Sequence, residues 1–409
     1  MTERNKKLDI IIKSKNKDLL NFMKLVPNRK KRFEKASSKP ITIDPINDLA
    51  RKLHPERQCL MIDQIKDETK TSKTFRLIPD PTSETKSLAY FRAGQYLSLK
   101  VQVKGVRITR PYSISSSPKE SLEGFYEITI RKEESGFLTH YIWEKWEVGT
   151  KIESSGPEGF FYYDPLRDAK TIVAIGGGSG ITPFRSITKA IIDGTLDAKI
   201  TLLYGSSEEG DIIFYDEFKE YEKNHPDKVK IVYILSCDIV SLEGCEQGFI
   251  TSEIIEKYAD IDKSSFFICG PRIMYDFIDK QLKKFHLPSK KIRKEAFGEI
   301  KNLVDLPDYP REMIERSFKI KVHMDGLTKE IPALASESVL VAMERANLTP
   351  PSKCRSGECG FCRSLLISGD VFVSPYNDGR READKKFNYF HPCASFPLSD
   401  LELDIPKDV

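Results

Sequence analysis

Four cysteines near the carboxyl terminus of this 409-residue chain have the type and spacing of iron–sulfur ligands. They follow the pattern Cys-x4-Cys-x2-Cys, with a fourth cysteine about thirty residues further on, which is the plant-type spacing for a [2Fe–2S] cluster. Gly357 and Gly360 lie between the ligands, where small residues let the backbone approach a cluster. The pattern predicts single-electron transfer at four thiolate ligands: Cys354, Cys359, Cys362 and Cys393.

A zinc site is the alternative for cysteines this close together. Zinc loops usually pair two Cys-x2-Cys units or add histidines, whereas the second half here supplies one cysteine, so the cluster is favoured. We expect His391 to be a packing or surface residue and not a metal ligand. Side chains or backbone amides that flank the ligands are expected to hydrogen-bond cluster sulfurs, and these residues are Arg355, Ser356, Arg363 and Ser364.

A glycine-rich segment, Ile175-Gly-Gly-Gly-Ser-Gly-Ile-Thr-Pro183, follows a short apolar run and is predicted to open a helix. Glycines let backbone amides approach a pyrophosphate, and the start of a helix offers partial positive charge. Pro183 suits the first turn of that helix. A purely structural tight turn is the alternative, but the strand-to-helix context favours a dinucleotide-binding loop.

Two shorter segments are ambiguous when each is taken alone and become informative only together with the other motifs. In Arg110-Pro-Tyr-Ser113, the arginine can bind a phosphate through a bidentate fork, while the tyrosine and serine offer an aromatic face and a hydroxyl to a flavin ring. By itself, this segment more often belongs to an ordinary strand with a surface arginine. Cys269 follows an apolar strand and, taken alone, fits a buried core position.

The predicted secondary structure that must position these groups changes along the chain. Alternating strands with one helix at Phe137–Trp146 predict an antiparallel β-barrel, and strands alternating with helices then predict a parallel-sheet α/β domain. The cysteine loop belongs to a C-terminal, β-grasp-like α+β domain that opens with a strand at Lys319–His323. The predicted multidomain boundaries are a basic extension at 1–54, the barrel at 55–165, the α/β domain at 166–298, a polar linker at 299–316 and the cluster domain at 317–409.

Composition narrows the class of protein. No apolar run approaches the roughly 18 residues that span a bilayer, no export signal precedes the eight cysteines, and the net charge of +4 is too small to argue for nucleic acid. We therefore expect a cytoplasmic protein without a transmembrane segment. Residues 1–50 carry 13 Lys or Arg and 6 Asp or Glu, a net +7, which fits either a solvated extension or docking to an acidic partner or anionic surface.

The motifs taken together resemble a known family. Arg110-Pro-Tyr-Ser113, the glycine loop and Cys269-Gly-Pro271 occur in the order found in the ferredoxin–NADP+ reductase superfamily. A C-terminal plant-type ferredoxin domain makes the chain similar to the phthalate dioxygenase reductase-like and phenylacetate-type reductases over roughly residues 55–409, whereas residues 1–54 match nothing in that family. The resemblance implies a reductase that passes electrons from NAD(P)H through a flavin and the cluster to a partner redox protein.

The resemblance also implies residue roles. Ser113 is expected near the reactive flavin nitrogen, Cys269 beside the hydride-transfer pocket and Phe297 near the flavin, so these three are the catalytic candidates. Supporting segments are Gly94–Tyr96 in the barrel, Gly156–Gly159 at its end and Lys294–Gly298 at the end of the α/β domain. The flavin-binding candidates are Arg110, Tyr112, Ser113, Gly136, Leu138 and Thr139, and the nicotinamide-dinucleotide candidates are Gly176, Gly178, Gly180, Thr182, Pro183, Gly270 and Pro271.

For the flavin, the nicotinamide cofactor and the electron acceptor, the sequence leaves alternatives open. The segment Gly136–Thr139 at a helix start favours FAD, with FMN as the alternative. Acidic residues in Ser206-Ser-Glu-Glu209 favour NADH over NADPH, because a 2′-phosphate needs Arg or Lys, although these glutamates also fit a solvated loop. The acceptor could be an oxygenase, hydroxylase, demethylase or anaerobic reductase component. Direct reduction of a small molecule and a redox-sensing cluster protein are the alternative functions.

Overall fold

The computed structural model describes residues 15–38, 44–134, 136–237, 242–295, 298, 300, 303–306, 308–374 and 378–406. The chain forms two compact units, Met1–Ala50 and Arg51–Val409. Helix α1 (Lys15–Glu34) lies in the first unit, and helix α2 (Pro45–Leu53) begins there. Among the described helices, none has the length and apolar character needed to cross a membrane.

The second unit begins with the predicted antiparallel barrel. Its elements are β1 (Gln58–Thr69), β2 (Ser72–Pro79), β3 (Tyr96–Val103), β4 (Val106–Ser113), α3 (Pro118–Leu122), β5 (Tyr126–Arg131), α4 (Phe137–Lys145) and β6 (Lys151–Ser154). The strand order is β4–β3–β6–β1–β2–β5, and a bridge between Ile114 and Ile128 closes the barrel. Helix α4 is the predicted one. Helix α3 was not predicted, although Ser117 and Glu120 form a capping box that marks its start.

The α/β domain contains the predicted parallel sheet. Its elements are β7 (Thr171–Gly177), α5 (Thr182–Ile192), β8 (Lys199–Ser206), α6 (Tyr215–Asn224), β9 (Val229–Leu235), β10 (Glu246–Gln247), α7 (Ser252–Tyr258), β11 (Ser264–Cys269), α8 (Arg272–Lys283) and β12 (Ile292–Glu295). The strand order is β10–β9–β8–β7–β11–β12. The order reverses between β7 and β11, and ligands of such sheets bind in the crevice beyond the carboxyl ends of the strands at that point.

The C-terminal domain is the predicted α+β domain. Its elements are β13 (Ser317–Met324), β14 (Leu327–Leu334), α9 (Val339–Arg345), β15 (Ser364–Ser368), β16 (Val371–Val373), α10 (Glu382–Lys386), β17 (Tyr389–Phe390), β18 (Ser395–Pro397) and β19 (Leu401–Ile405). The main sheet has the order β14–β13–β19–β15–β17, with β13 and β19 parallel. Helix α9 buries Leu340 and Met343 in the core of this domain, which holds the helix beside the cysteine loop.

The connection between the last two domains differs from the polar linker expected at 299–316. In its described part, Leu303, Leu306 and Tyr309 are buried in one apolar cluster with Phe372 and Phe396 of the C-terminal domain. The ring centroids of Tyr309 and Phe372 are 5.1 Å apart. Apolar residues spaced by three therefore anchor this segment to the C-terminal domain, which its polar composition did not indicate.

A buried arginine joins the barrel to the α/β domain. Arg185 of α5 donates to the Glu127 carboxylate and the Ser115 carbonyl of the barrel, at 2.5 and 3.1 Å. It also donates to Glu217 of its own domain at 2.8 Å. Because a buried charge is tolerated only when it is paired and hydrogen-bonded, this arrangement fixes the orientation of the two domains around the crevice between them.

Candidate functional site

The loop at 354–362 brings its sulfur atoms together with Cys393. The sulfurs of Cys362 and Cys393 are 3.4 Å apart, and the Cys354 thiol interacts with those of Cys359 and Cys393. Among the described residues, no three metal-ligating side chains converge on a single-ion site. Paired sulfurs are what a [2Fe–2S] cluster requires, since each iron takes two protein ligands. The donor set therefore fits a [2Fe–2S] cluster.

The four cysteines differ in exposure. Cys354, Cys362 and Cys393 are buried, whereas Cys359 is exposed. Phe361 lies close to it in the chain and is 44% exposed. One edge of the ligand set thus reaches the surface, and another molecule can approach the cluster there.

Backbone amides point at the cysteine sulfurs, as expected for thiolates in a tight loop. The N–H groups of Ser356 and Cys359 donate to the Cys354 sulfur at 3.5 and 3.4 Å, and the N–H of Phe361 donates to the Cys359 sulfur at 3.5 Å. Hydrogen bonds to cluster sulfurs stabilise the thiolate form and tune the reduction potential.

The Arg355 side chain has a partner that the sequence did not indicate. Its side chain is fully buried and forms two hydrogen bonds with the Glu344 carboxylate of α9, at 2.5 and 2.9 Å. Its φ of +56° places it in the left-handed region, so the loop turns sharply at this ion pair. Glu344 also lies 3.9 Å from Arg110 of the barrel. This carboxylate therefore ties the cysteine loop to its own domain and to the flavin-binding candidate.

The other flanking residues brace the loop from outside. Arg363 pairs with Asp384 at 3.1 Å, and the Ser364 hydroxyl donates to the Cys362 carbonyl at 3.1 Å. His391, which was expected to be a packing or a surface residue, is buried. Its Nδ1 donates to the Gly357 carbonyl at 2.6 Å. Its contribution is to hold the backbone of the loop between the first two ligands.

The flavin-binding candidates of the barrel lie on β4. Ser113 is buried and pairs across the sheet with Tyr96 of β3. Burial raises the pKa of Tyr112 to about 12, so its hydroxyl stays protonated at neutral pH. Arg110 donates to the Thr109 carbonyl at 2.9 Å and faces Glu344. Its binding to a flavin phosphate stays a prediction.

The start of α4 provides backbone donors. Gly136 is the N-cap, and the Thr139 hydroxyl donates to the Gly136 carbonyl at 3.1 Å while accepting from the Glu133 N–H at 3.1 Å. Leu138 buries its side chain in the barrel core, so only its backbone can serve a cofactor. The first N–H groups of a helix lack partners within the helix, which suits a phosphate.

A cavity of about 990 Å³ joins the three domains at the cysteine loop. Tyr96 and Gly159 of the barrel, Glu295 of the α/β domain, and Cys354 and Cys359 line it. Its volume lies at the upper end of the range for cofactor sites, and its aromatic and polar lining fits a flavin. Tyr112 and Ser113 do not line this cavity, but Tyr96, the cross-strand neighbour of Ser113, does.

Glu295 is a site residue that the sequence did not identify. Burial, followed by the nearby charges of Glu358 and Cys354, raises the pKa of its carboxyl well above the ordinary value. The neutral form of this carboxyl is therefore favoured more than in a solvated glutamate. A buried acid of this kind often marks a functional site. Sequence reasoning passed over it because it stands in a short strand close to Phe297, a catalytic candidate that lies outside the described residues.

The glycine loop and the Cys269–Pro271 segment meet at the carboxyl ends of β7 and β11. A Cβ on Gly180 would lie 2.2 Å from the Cys269 carbonyl oxygen, so only glycine permits this contact. Thr182 and Pro183 begin α5 as predicted, and the Thr182 hydroxyl donates to the Ser179 carbonyl at 3.1 Å. The predicted strand–loop–helix arrangement is present.

A second cavity, of about 500 Å³, opens beside this loop. Its lining includes Gly177, Gly178, Ser206, Ser207 and Pro271, which places backbone donors and serine hydroxyls around one space. This composition fits a dinucleotide, whose pyrophosphate is bound mainly by backbone N–H groups at a helix start. Of the predicted loop residues, Gly176 and Gly180 pack behind the cavity, against Phe184 and Cys269.

Cys269 itself is fully buried, at the end of β11. Burial raises the pKa of its thiol well above the ordinary value, which keeps the group protonated. It also interacts with the Tyr275 side chain. A neutral buried thiol suits a residue that shapes the crevice.

Arg131 is a second residue that sequence reasoning missed. It ends β5 of the barrel but lines the dinucleotide cavity, and its guanidinium binds the Asp211 carboxylate of the α/β domain. The Thr71 hydroxyl donates to the same carboxylate at 2.6 Å. These partners stand far apart in the chain, and no local motif marks them.

Comparisons with known proteins agree with this geometry. Family models match residues 62–163 as an oxidoreductase FAD-binding domain, 174–280 as an oxidoreductase NAD-binding domain and 322–398 as a 2Fe-2S iron-sulfur cluster binding domain. The glycine betaine monooxygenase reductase subunit of Chromohalobacter salexigens is 24% identical over 357 residues, covering 85% of this chain and 94% of the relative.

A second relative, a component of the 1,2-phenylacetyl-CoA epoxidase of Escherichia coli, is 27% identical over 364 residues, covering 84% of this chain and 96% of the relative. Among solved structures, phthalate dioxygenase reductase matches with a TM-score of 0.62 and 24% identity, covering 85% of this chain and 98% of that one. The last match speaks for the fold alone.

Fold and site define an NAD(P)H-dependent flavoprotein oxidoreductase with its own [2Fe–2S] domain. Its cofactors are FAD, with FMN as the alternative, NADH or NADPH, and the cluster. The three family models bear out the predicted resemblance to the ferredoxin–NADP+ reductase superfamily, and the fold is that of phthalate dioxygenase reductase.

Proposed function

We propose that this chain is the reductase component of an oxygenase system and that NADH is its preferred electron donor. The observation that carries the proposal is the cavity shared by the three domains, because Cys354 and Cys359 form part of its wall. A flavin bound there lies next to the cluster ligands, while Cys359 is also exposed to an external acceptor. The components of monooxygenase and epoxidase systems among the relatives support an oxygenase as that acceptor.

The residues of the chain divide the work between two cavities. When bound, the flavin accepts a hydride from the nicotinamide and the cluster carries electrons singly. Gly178 and the start of α5 hold the dinucleotide pyrophosphate, and Cys269, Gly270 and Pro271 shape the nicotinamide side of the crevice. Burial of Ser113 and of Glu295 keeps both side chains away from bulk water on the flavin side.

Donor choice follows from the end of β8. Ser206 and Ser207 line the dinucleotide cavity, and the next residues are Glu208 and Glu209. Hydroxyl and carboxylate groups suit the ribose hydroxyls of NADH, whereas the 2′-phosphate of NADPH favours a basic residue. We expect kcat/KM for NADH to exceed that for NADPH, and Ser207→Arg to narrow the ratio. A wild-type preference for NADPH would contradict this assignment.

An NADH-dependent reductase of this kind fits a cytoplasmic location.

The function is tested by anaerobic spectroscopy of the purified full chain. NADH should bleach the flavin bands and then the cluster bands. Cys359→Ser should abolish cluster reduction while leaving flavin reduction intact, because it removes one iron ligand and leaves the dinucleotide crevice unchanged. Cys59→Ser is the matched control, since Cys59 lies in β1 of the barrel.

Two outcomes would contradict the proposal. Flavin bands that NADH leaves unchanged would remove the dinucleotide step, and unaltered reduction of a one-electron acceptor by the Cys359→Ser variant would remove the cluster from the path. Turnover of a small molecule at full rate without any acceptor protein would favour a direct reductase.

A further inference from the structure

Helix α1 is a feature that the reductase function does not use. It lies in the first compact unit, outside the residues 62–398 spanned by the family models. Its apolar side chains are more than half exposed, with values from 56% to 80%. They are Leu19, Leu20, Phe22, Met23, Leu25, Val26 and Phe33.

Four of these side chains share one face of the helix. Leu19, Phe22, Met23 and Val26 follow the i, i+3, i+4, i+7 spacing that places residues on one side. Beyond Pro27 the same face presents Lys30 before Phe33. The continuous apolar stripe therefore covers the part of the helix before Pro27.

The opposite face is basic. Lys17, Lys24 and Lys31 recur every seven residues and lie about half a turn away from the apolar stripe, with Asn21 and Asn28 between them. The helix as a whole carries seven Lys or Arg and two Asp or Glu, a net charge of +5. Basic side chains of one sign opposite leucine, methionine and phenylalanine are the pattern of helices that lie in a membrane interface.

We propose that α1 binds an anionic lipid bilayer, lying in its surface with the apolar stripe among the acyl chains and the lysines at the head groups. The occupant follows from charge complementarity, since a plane of negative head groups matches a face that carries only positive charge. A second copy of the helix would bring two +5 surfaces together and is disfavoured. The helix is too polar to span the bilayer, so binding is peripheral.

The test uses the full holoenzyme and sedimentation with lipid vesicles. Vesicles of phosphatidylcholine mixed with phosphatidylglycerol should bind the chain at low salt and release it as salt is added, because screening weakens surface electrostatics. Vesicles of phosphatidylcholine alone should bind far less at the same lipid concentration. Equal binding to both kinds of vesicle, or binding to neither, would overturn the proposal.

Paired variants separate charge from apolar contact. Lys24→Gln with Lys31→Gln should weaken binding about 25-fold, since each basic residue near an anionic surface contributes about fivefold. Lys70→Gln with Lys119→Gln, two exposed barrel lysines, is the matched control and should leave binding unchanged. If both pairs reduce binding equally, the net charge of the chain and not α1 is responsible, and the proposal fails.

The apolar stripe is tested by Phe22→Ser with Val26→Ser, which should abolish vesicle binding without altering charge. Asn21→Ser with Asn28→Ser, on the polar face of the same helix, should not. If no vesicle binds but a purified oxygenase does, and Phe22→Ser with Val26→Ser weakens that complex, the stripe docks on protein and the proposal is overturned. NADH oxidation is measured on every variant and should stay unchanged, so a failure of the proposed reductase function is seen separately.

Discussion

The dinucleotide crevice and the cysteine loop are held together by different kinds of contact. The dinucleotide cavity in the crevice is lined by glycines, serines and apolar side chains, and Gly180 packs directly on the Cys269 backbone behind it. The cysteine loop is held by side chains, above all by the buried pair of Arg355 and Glu344 and by His391 on the Gly357 carbonyl. Electrons enter at a site of close backbone packing and leave from a site of buried charge.

The difference predicts different vulnerabilities. A site formed by close backbone approach is damaged by adding atoms, because the neighbouring main chain cannot move away. A site held by a buried ion pair is damaged by removing charge, because the remaining partner is left buried and uncompensated. Substitutions of each kind, each with a control variant, test this contrast.

The largest effect is expected for Glu344→Gln. It leaves the fully buried Arg355 guanidinium without its carboxylate, and breaking such a pair costs about 3–5 kcal/mol. We expect loss of iron, measured as the ratio of iron to flavin, and a lower melting temperature of the C-terminal domain. Flavin reduction by NADH should persist. Glu337→Gln removes the partner of the half-exposed Arg345 and should cost less than about 1 kcal/mol. A Glu344→Gln protein with full iron content would show that backbone and cysteines alone hold the loop.

Gly180→Ala should act on the crevice and spare the cluster. The added Cβ would lie 2.2 Å from the Cys269 carbonyl oxygen, and overpacking of this kind costs about 1–3 kcal/mol. We expect kcat/KM for NADH to fall about tenfold or more, with flavin and iron contents unchanged. Gly210→Ala is the control, since a Cβ there meets nothing within 4 Å. Equal activity of the two variants would mean that the crevice tolerates added atoms.

The sequence predicted most of what is local. The ligand spacing from Cys354 to Cys393, the glycine loop opening α5 and the strand patterns of the three domains follow from short-range rules, because each depends on neighbours in the chain. The barrel, the parallel sheet and the α+β domain are therefore as expected. The roles of Ser113 and Arg110 at a flavin remain predictions.

What the sequence did not reveal depends on pairs of residues that lie apart in the chain. The partner of the Arg355 side chain, Glu344, lies only 11 positions earlier, on helix α9, but no motif marks the pair. Arg131 meets Asp211 across 80 positions of the chain and a domain boundary. The segment around Tyr309 looked like a polar linker because its apolar residues are few and its packing partner Phe372 comes much later. No local pattern specifies such contacts.

Arg131→Gln should give an intermediate effect at the entry site. The residue lines the dinucleotide cavity and binds Asp211, but it is partly exposed, so we assign it about 1 kcal/mol. The expected result is a rise of about fivefold in KM for NADH with little change in kcat. Arg57→Gln, an exposed barrel arginine beside Glu153, should leave KM unchanged. If Arg131→Gln lowers KM, the arginine competes with the dinucleotide for the cavity and does not help to bind it.

The smallest effect is expected for Lys353→Gln, where the cysteine loop meets the barrel. Lys353 precedes Cys354 and pairs with Glu158 of the barrel. Both side chains are partly exposed, and pairs of this kind contribute about 1 kcal/mol or less. The rate of cluster reduction after mixing with NADH should fall less than about fivefold, and Lys66→Gln, an exposed barrel lysine paired with Glu68, should not change it.

The same pair gives a pH dependence with a definite sign. Burial raises the pKa of Glu158, and Lys353 opposes that rise, so the variant raises the pKa further. A carboxyl whose pKa is higher in the folded protein stabilises the fold below its unfolded pKa, and this contribution is lost as pH rises through the folded value. The stability difference between Lys353→Gln and the wild type should therefore widen as pH rises through the pKa of Glu158, measured by thermal unfolding across that range. A difference that stays constant as pH rises would mean that Glu158 is well solvated without Lys353, and that the loop meets the barrel without a buried charge.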